Sequence, residues 1–96
     1  MRHGFIYLIE NKKNGKKYIG QTKDFARRWI EHCTQEQLKI DEVIQKYGWD
    51  NFETEVLETP PLDKLNEREQ YWIEKYGTYQ GEGYNFTPGG NTFPDN

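Results

Sequence analysis

The apolar residues of this 96-residue chain fall into two rhythms. Phe5-Ile6-Tyr7-Leu8-Ile9 is a short continuous run, partly β-branched or aromatic, which predicts a strand buried at the centre of a sheet. Asn11 to Gly15 reads as a turn, with Asn14-Gly15 its strongest signal, and Lys17 to Gln21 as the returning strand. With Asn14-Gly15 as a two-residue turn, Lys13 pairs with Lys16 and opposed positions sum to 29. A longer loop makes them sum to 25 and sets Tyr7 opposite Tyr18. Either register puts the two tyrosines on one face, because side chains alternate along a strand with period two.

Asp24 to about Cys33 has helical spacing. Asp24 suits the N-terminus, Phe25 and Trp29 are placed to pack inward together, and Arg28 and His32 share a neighbouring face. A second helix is expected from about Gln37 to Tyr47, with Leu38, Val43, Ile44 and Tyr47 as its apolar contacts and Gly48 as its stop. Phe52 to Glu58 reads as a third strand, with Phe52, Thr54 and Val56 on one face and Pro60-Pro61 ending it. The last helix starts near Leu62 or Asp63, runs to about Tyr76 and closes at Gly77. Leu62, Leu65, Trp72, Ile73 and Tyr76 form its apolar stripe, and Glu69 occupies the gap in that stripe. Glu67, Arg68, Glu74 and Lys75 lie elsewhere and read as solvated. No internal repeat is visible, so residues 1–96 read as one domain with an irregular glycine-rich tail from about 77.

Composition narrows the class. Mean hydropathy is -1.13, yet fifteen aromatics give a small core large pieces to pack. Phe5 to Ile9, the longest apolar run, is far short of the roughly 20 residues that span a bilayer. No charged-then-apolar leader is present, so the expectation is an intracellular protein, cytoplasmic or nucleoid-associated and not secreted. Asn85-Phe86-Thr87 matches a glycosylation acceptor, which carries little weight without such a leader. Cys33 is alone, which excludes an intrachain disulfide and a cysteine-based zinc cage. The net charge of -3 hides an asymmetry. Residues 1–40 hold nine Lys/Arg against four Asp/Glu, and residues 41–96 hold four against twelve. A basic front end can meet phosphates while the rest stays acidic, unless the two halves interleave in space.

Several side chains could carry chemistry. A carboxylate directed at a core costs several kcal/mol unless it is paired, protonated or metal-bound, so Glu69 is a candidate metal ligand. A salt bridge to Arg28 or a lysine, or an exposed stripe edge, would explain it equally well. One carboxylate with water and phosphate oxygens suits Mg²⁺ and would make a poor zinc site. Arg28 offers a planar, permanently charged fork to a phosphate, or simply a solvated helix face. Tyr7 and Tyr18 are either packing residues or groups that orient or deprotonate a water. His32 can be a base, a donor to phosphate or a surface histidine. Asn85 could stabilise a turn. Lys12, Lys13, Lys16, Lys17 and Lys23 form a basic rim, solvated or holding DNA phosphates, and Arg27 suits a backbone contact.

Together these residues resemble the GIY-YIG nuclease family, from Gly4 to about Asn85. Phe5-Ile6-Tyr7, preceded by Gly4, stands for the first motif and keeps its tyrosine; Tyr18-Ile19-Gly20 is the second, intact. Arg28 matches the family's arginine ten residues past Tyr18, and His32 the histidine one turn later. Glu69, in Glu67-Arg68-Glu69-Gln70-Tyr71-Trp72, matches the metal-binding glutamate. Asn85, in Gly83-Tyr84-Asn85, matches the late asparagine. The resemblance implies an α+β fold, a small three-stranded antiparallel sheet flanked by helices. It also implies hydrolysis of a DNA phosphodiester with one Mg²⁺, for which Mn²⁺ can substitute. Glu69 would hold the metal, Arg28 would stabilise phosphoryl charge, and Tyr18 or Tyr7, assisted by His32, would act on the water. Some relatives carry a second histidine after the first helix; none lies between Cys33 and Tyr47, leaving Gln35 or Lys39 as stand-ins.

The chain is most similar to the catalytic domains of phage-type homing endonucleases, which cut under the direction of a separate DNA-binding segment. Such a segment is not recognisable here. The readings are a catalytic fragment, dependence on a partner protein, or action alone with low specificity. The competing classes are a catalytically silent DNA-binding module and a protein-interaction domain of the same fold.

Overall fold

A computed structural model describes residues 2–35, 38–79 and 83–85. Strand β1 (Phe5–Asn11) organises it, because its side chains are apolar in both directions. It lies between β2 (Lys17–Thr22) and β3 (Phe52–Glu58), antiparallel to both. Helices cover the two faces. Tyr7 and Ile9 pack with Ile40, Val43, Ile44 and Phe52 under α1 (Phe25–Thr34) and α2 (Lys39–Tyr47). Ile6, Leu8 and Ile19 pack with Leu65 and Ile73 of α3 (Leu65–Tyr76) on the other face. Ile6, Ile9, Ile19, Ile40 and Ile44 are all but fully buried, each contributing about 2 kcal/mol of apolar transfer relative to exposure.

The β1–β2 register differs from both expectations. Tyr7 faces Gly20 and Ile9 faces Tyr18, so opposed positions sum to 27, midway between the two. Asn11 is the cause. Its backbone N–H donates to the Lys16 carbonyl at 2.9 Å, its carbonyl accepts from Gly15 at 2.7 Å, and its side chain accepts from the Lys13 N–H. Asn14-Gly15 is therefore the exit of a longer loop, with Gly15 at φ 78°, rather than a two-residue turn. A two-residue shift preserves the faces, and the tyrosines remain on one side.

Helix α1 begins where expected, its Asp24 Oδ1 accepting from the Arg27 N–H at 3.1 Å. In α2 the expected contact Leu38 is replaced: Leu38 is exposed at the N-cap, and Ile40 takes the core position. Tyr47 is also largely exposed, although its ring meets Phe52 edge-on. On β3 only Phe52 of the three residues on its expected inner face is buried; Thr54 and Val56 are exposed. The last helix is preceded by a 3₁₀ turn, Leu62–Lys64, and ends at Gly77, whose φ of 62° lets the Thr78 N–H reach back to the Ile73 carbonyl. Tyr84 and Asn85 lie along the outer edge of β2. The Tyr84 N–H donates to Lys17, and its hydroxyl accepts from the amides of Asn11 and Asn14. Gln37 and most of the tail expected from about 77 lie outside the described residues.

Candidate active site

Tyr7 lies across the position opposite it. A Cβ on Gly20 would sit 2.4 Å from both Cζ and Oη of Tyr7, so the ring fits only because residue 20 has no side chain. The Tyr7 hydroxyl is thereby placed 2.8 Å from His32 Nε2, reaching from the sheet to α1. His32 is 1% exposed, and its Nδ1 lies 2.5 Å from Asp41 Oδ1 on α2. The other Asp41 oxygen accepts the Leu38 N–H at 3.0 Å. Tyr18 is half-buried, its ring centroid 6.3 Å from Tyr7 and 5.8 Å, edge-on, from His32. The chain Tyr7–His32–Asp41 thus joins β1, α1 and α2.

Arg28 stands one turn before His32. Its Nη1 donates to Glu31 Oε1 at 3.0 Å, and its guanidinium lies beside the Tyr7 hydroxyl. Its Nε is buried with no hydrogen-bond partner among the described residues. A buried donor left unmade is costly, so this N–H is a natural seat for an incoming oxygen. Burial drives the Tyr7 phenol well above its ordinary pKa, and the charges of Tyr18 and Glu69 push the same way against Arg28. Burial likewise raises Tyr18, with Glu69 adding to it. Neither phenol is a standing phenolate at neutral pH.

Glu69 comes from α3, on the opposite face of the sheet. It is 7% exposed, in line with the buried Leu65 and Ile73, and accepts from Gln21 Nε2 at 2.9 Å. Its charge reaches both tyrosines around the edge strand β2. Among the described residues no three His, Cys, Asp or Glu side chains gather into a metal cluster. A single carboxylate fits a cation that keeps most of its water, and does not fit zinc.

The structure brings Tyr7, Tyr18, Arg28 and His32 together, with Glu69 at the margin. Asn85 stands apart in kind: its Oδ1 accepts the Ile19 N–H and its Nδ2 donates to the Ile19 carbonyl, both at 2.9 Å. It extends the ladder of β2 and fixes the strand that carries Tyr18. The expected phosphate contacts are at the surface. Lys16 and Lys23 are exposed, Lys17 is half-buried near Glu10 at 3.7 Å, and Arg27 pairs with Glu31 at 3.8 Å. Gln35 and Lys39 are exposed, and it is Asp41 that meets His32. An open groove of about 600 Å³, with Asn14, Lys16, Lys39, Lys46, Tyr47 and Tyr84 among its lining, runs between the β1–β2 loop and α2. Sequence reasoning missed Asp41, Gln21 and Glu31, each of which reads as an ordinary surface residue.

Residues 3–85 match the family model of the GIY-YIG catalytic domain. Intron-associated endonuclease 1 of Enterobacteria phage T4 is 35% identical in an alignment 88 residues long that covers 83% of this chain and 35% of that protein. The putative MSV199 domain-containing protein 146R of Invertebrate iridescent virus 6 is 34% identical in an alignment 86 residues long that covers 81% of this chain and again 35% of the relative. The chain thus spans about a third of the length of the curated relatives it matches. Among solved structures, the catalytic domain of the intron endonuclease I-TevI, in a mutant form, superposes with a TM-score of 0.77 at 32% identity, covering 95% of this chain and 98% of that one. A second structure of the catalytic domain of the homing endonuclease I-TevI gives 0.72 at 33% identity, covering 88% and 98%.

Proposed function

The chain belongs to the GIY-YIG catalytic domain family, and from that premise we propose that it is the phosphodiester-cleaving part of a DNA endonuclease using one divalent cation. One observation carries the reading. Around Tyr7, a buried arginine donor without a partner among the described residues adjoins a phenol already hydrogen-bonded to an imidazole. A catalytically silent DNA-binding module has no use for a phenol and an imidazole paired at 1% exposure, nor for a carboxylate within an apolar row.

Arg28 Nε, which donates to no group among the described residues, would donate to a non-bridging phosphate oxygen, stabilising charge as it builds. The half-buried Tyr18 meets the attacking water. As the new P–O bond forms and the bond from phosphorus to the departing oxygen breaks, leaving its electron pair on that oxygen, the water's proton passes inward through the tyrosine hydroxyls, each giving up one proton as it takes another. The last transfer is from Tyr7 Oη to His32 Nε2. This order suits phenols that hold their protons tightly, since neither tyrosine need exist as a free phenolate. Glu69 would hold the cation, Mg²⁺ with Mn²⁺ as a substitute, which supplies neutralisation of charge on the departing oxygen.

Lys16, Lys17, Lys23 and Arg27 are the proposed contacts to flanking phosphates, giving salt-sensitive and sequence-blind affinity. Selection of a target would come from a separate DNA-recognition segment or partner protein, in keeping with relatives much longer than the matched region. No helix among the described residues is long and apolar enough to cross a membrane. A DNA substrate places the activity inside a cell, cytoplasmic or nucleoid-associated.

Incubation of supercoiled plasmid with the purified chain, with Mg²⁺ or with EDTA, tests the reading beside Glu69→Ala. Mg²⁺-dependent nicking or linearisation should fall by more than about a hundredfold in the folded variant. Unchanged cleavage by Glu69→Ala removes the metal site. Absence of cleavage by the folded chain, alone and fused to a DNA-binding domain, removes the nuclease.

A further inference from the structure

We infer that Asp41 is a positioning residue, which fixes the His32 ring with its proton on Nδ1 and so keeps Nε2 open to receive the Tyr7 proton. The inference deepens the proposed relay and takes its catalytic consequence from that reading. Its structural half stands independently.

The argument begins from donor and acceptor capacity. An ionised carboxylate only accepts, so at 2.5 Å from Asp41 Oδ1 the His32 Nδ1 must carry a hydrogen. Asp41 cannot rotate away, because its second oxygen is held by the Leu38 N–H at the start of α2. Tyr7 settles the other side. The Arg28 guanidinium beside its hydroxyl can only donate, and the Tyr18 hydroxyl, which also hydrogen-bonds Tyr7, donates to the same oxygen in the relay; with both lone pairs taken, the phenolic hydrogen is left for His32 Nε2. Neutral imidazole with Nδ1–H is the form that satisfies both contacts. Once Nε2 takes the Tyr7 proton, the Asp41 carboxylate faces the imidazolium and balances its charge. Among the described residues, the groups that meet the ring are Tyr7 from β1, Tyr18 from β2 and Asp41 from α2. Among these, only Asp41 can dictate the Nδ1 proton.

Asp41→Asn separates positioning from mere packing. An asparagine that keeps its oxygen on the Leu38 N–H turns its NH₂ toward His32, forcing the proton from Nδ1 to Nε2 and making His32 a donor to Tyr7. The experiment is ¹⁵N-detected NMR of His32 in the wild-type chain and in Asp41→Asn, with plasmid cleavage by both. We expect protonated Nδ1 and bare Nε2 in the wild type, and the opposite tautomer in the variant. Turnover should drop by about a hundredfold or more with KM for DNA little changed, and Asp41→Glu should recover part of it. A wild-type Nε2–H tautomer or imidazolium overturns the inference even if the variant does not fold. A variant that switches tautomer yet keeps its turnover overturns the catalytic half. A wild-type chain with the expected tautomer and no cleavage in any format overturns the nuclease reading and leaves the positioning of His32 standing.

Discussion

On the α1/α2 face of the sheet, His32 is 1% exposed with a partner on each ring nitrogen; on the α3 face, Glu69 is 7% exposed in a row with Leu65 and Ile73. The first group closes a network in which every member's removal orphans another. The second is a carboxylate set in an apolar helical row and held from outside it by the Gln21 amide, which also donates to Asn66 and so keeps a partner when the carboxylate is replaced. The difference teaches how one small domain separates two requirements. The proposed proton relay is built into the core and contributes to stability, whereas the carboxylate proposed to hold the cation sits where the fold would be better served by a leucine.

The largest contrast to test is therefore a matched pair of substitutions. His32→Leu leaves the Asp41 carboxylate and the Tyr7 hydroxyl facing an apolar side chain and should cost about 3 kcal/mol. Glu69→Leu continues the stripe and should be neutral or stabilising by about 1 kcal/mol. Urea unfolding of the two variants beside the wild type measures both. An equal loss from each would mean that Glu69 is a structural residue and that the two faces do not differ.

Gly20→Ala attacks the closed face from the opposite strand. The added Cβ meets a ring held at its hydroxyl by His32, so the ring cannot swing aside cheaply. Overpacking of this kind costs about 2 kcal/mol, or roughly 10 °C in melting temperature for a domain of this size. Cleavage should fall further than the loss of folded protein explains, because the displaced hydroxyl parts from Nε2. A variant that melts like the wild type would show that Tyr7 has a second seat and that the face is less closed than its distances suggest.

How far the site was legible follows the same division. Glu69 could be found because a carboxylate at the centre of an apolar helical stripe is anomalous in any sequence. The shared face of Tyr7 and Tyr18 survived a wrong register because only the parity of the pairing mattered. The loop itself was misjudged because Asn14-Gly15 signals a two-residue turn, while Asn11 captures Gly15, Lys13 and Lys16 and lengthens the loop. Asp41 gave no signal: an acid in the first turn of a helix is what the helix dipole favours anywhere. Its meeting with His32 depends on how α1 and α2 pack, which no local pattern encodes. Asn85 could be picked out by motif, yet its bonds to both polar groups of Ile19 belong to tertiary structure.

The smallest effect is a titration that asks how tightly the closed face holds its protons. In an unfolded chain the Tyr7 phenol ionises near pH 10. In the fold, burial first, then the charges of Tyr18 and Glu69, raise it well above that value despite Arg28. Below about pH 10 both states keep the proton, and this difference contributes its full stabilisation. Above it the unfolded state releases the proton first, so stability should decline as pH climbs toward the folded value. Tyr7→Phe keeps the ring over Gly20 but has no proton to release. It should be less stable than the wild type at pH 8, and its urea midpoint should fall less steeply through pH 9, 10 and 11. Glu69→Leu should retain most of the wild-type slope, because burial is the larger cause and remains. If Tyr7→Phe loses stability with pH as steeply as the wild type, the alkaline loss arises elsewhere. The Tyr7 hydroxyl would then be open enough to ionise, and the order of proton transfer through it to His32 would have to be given up.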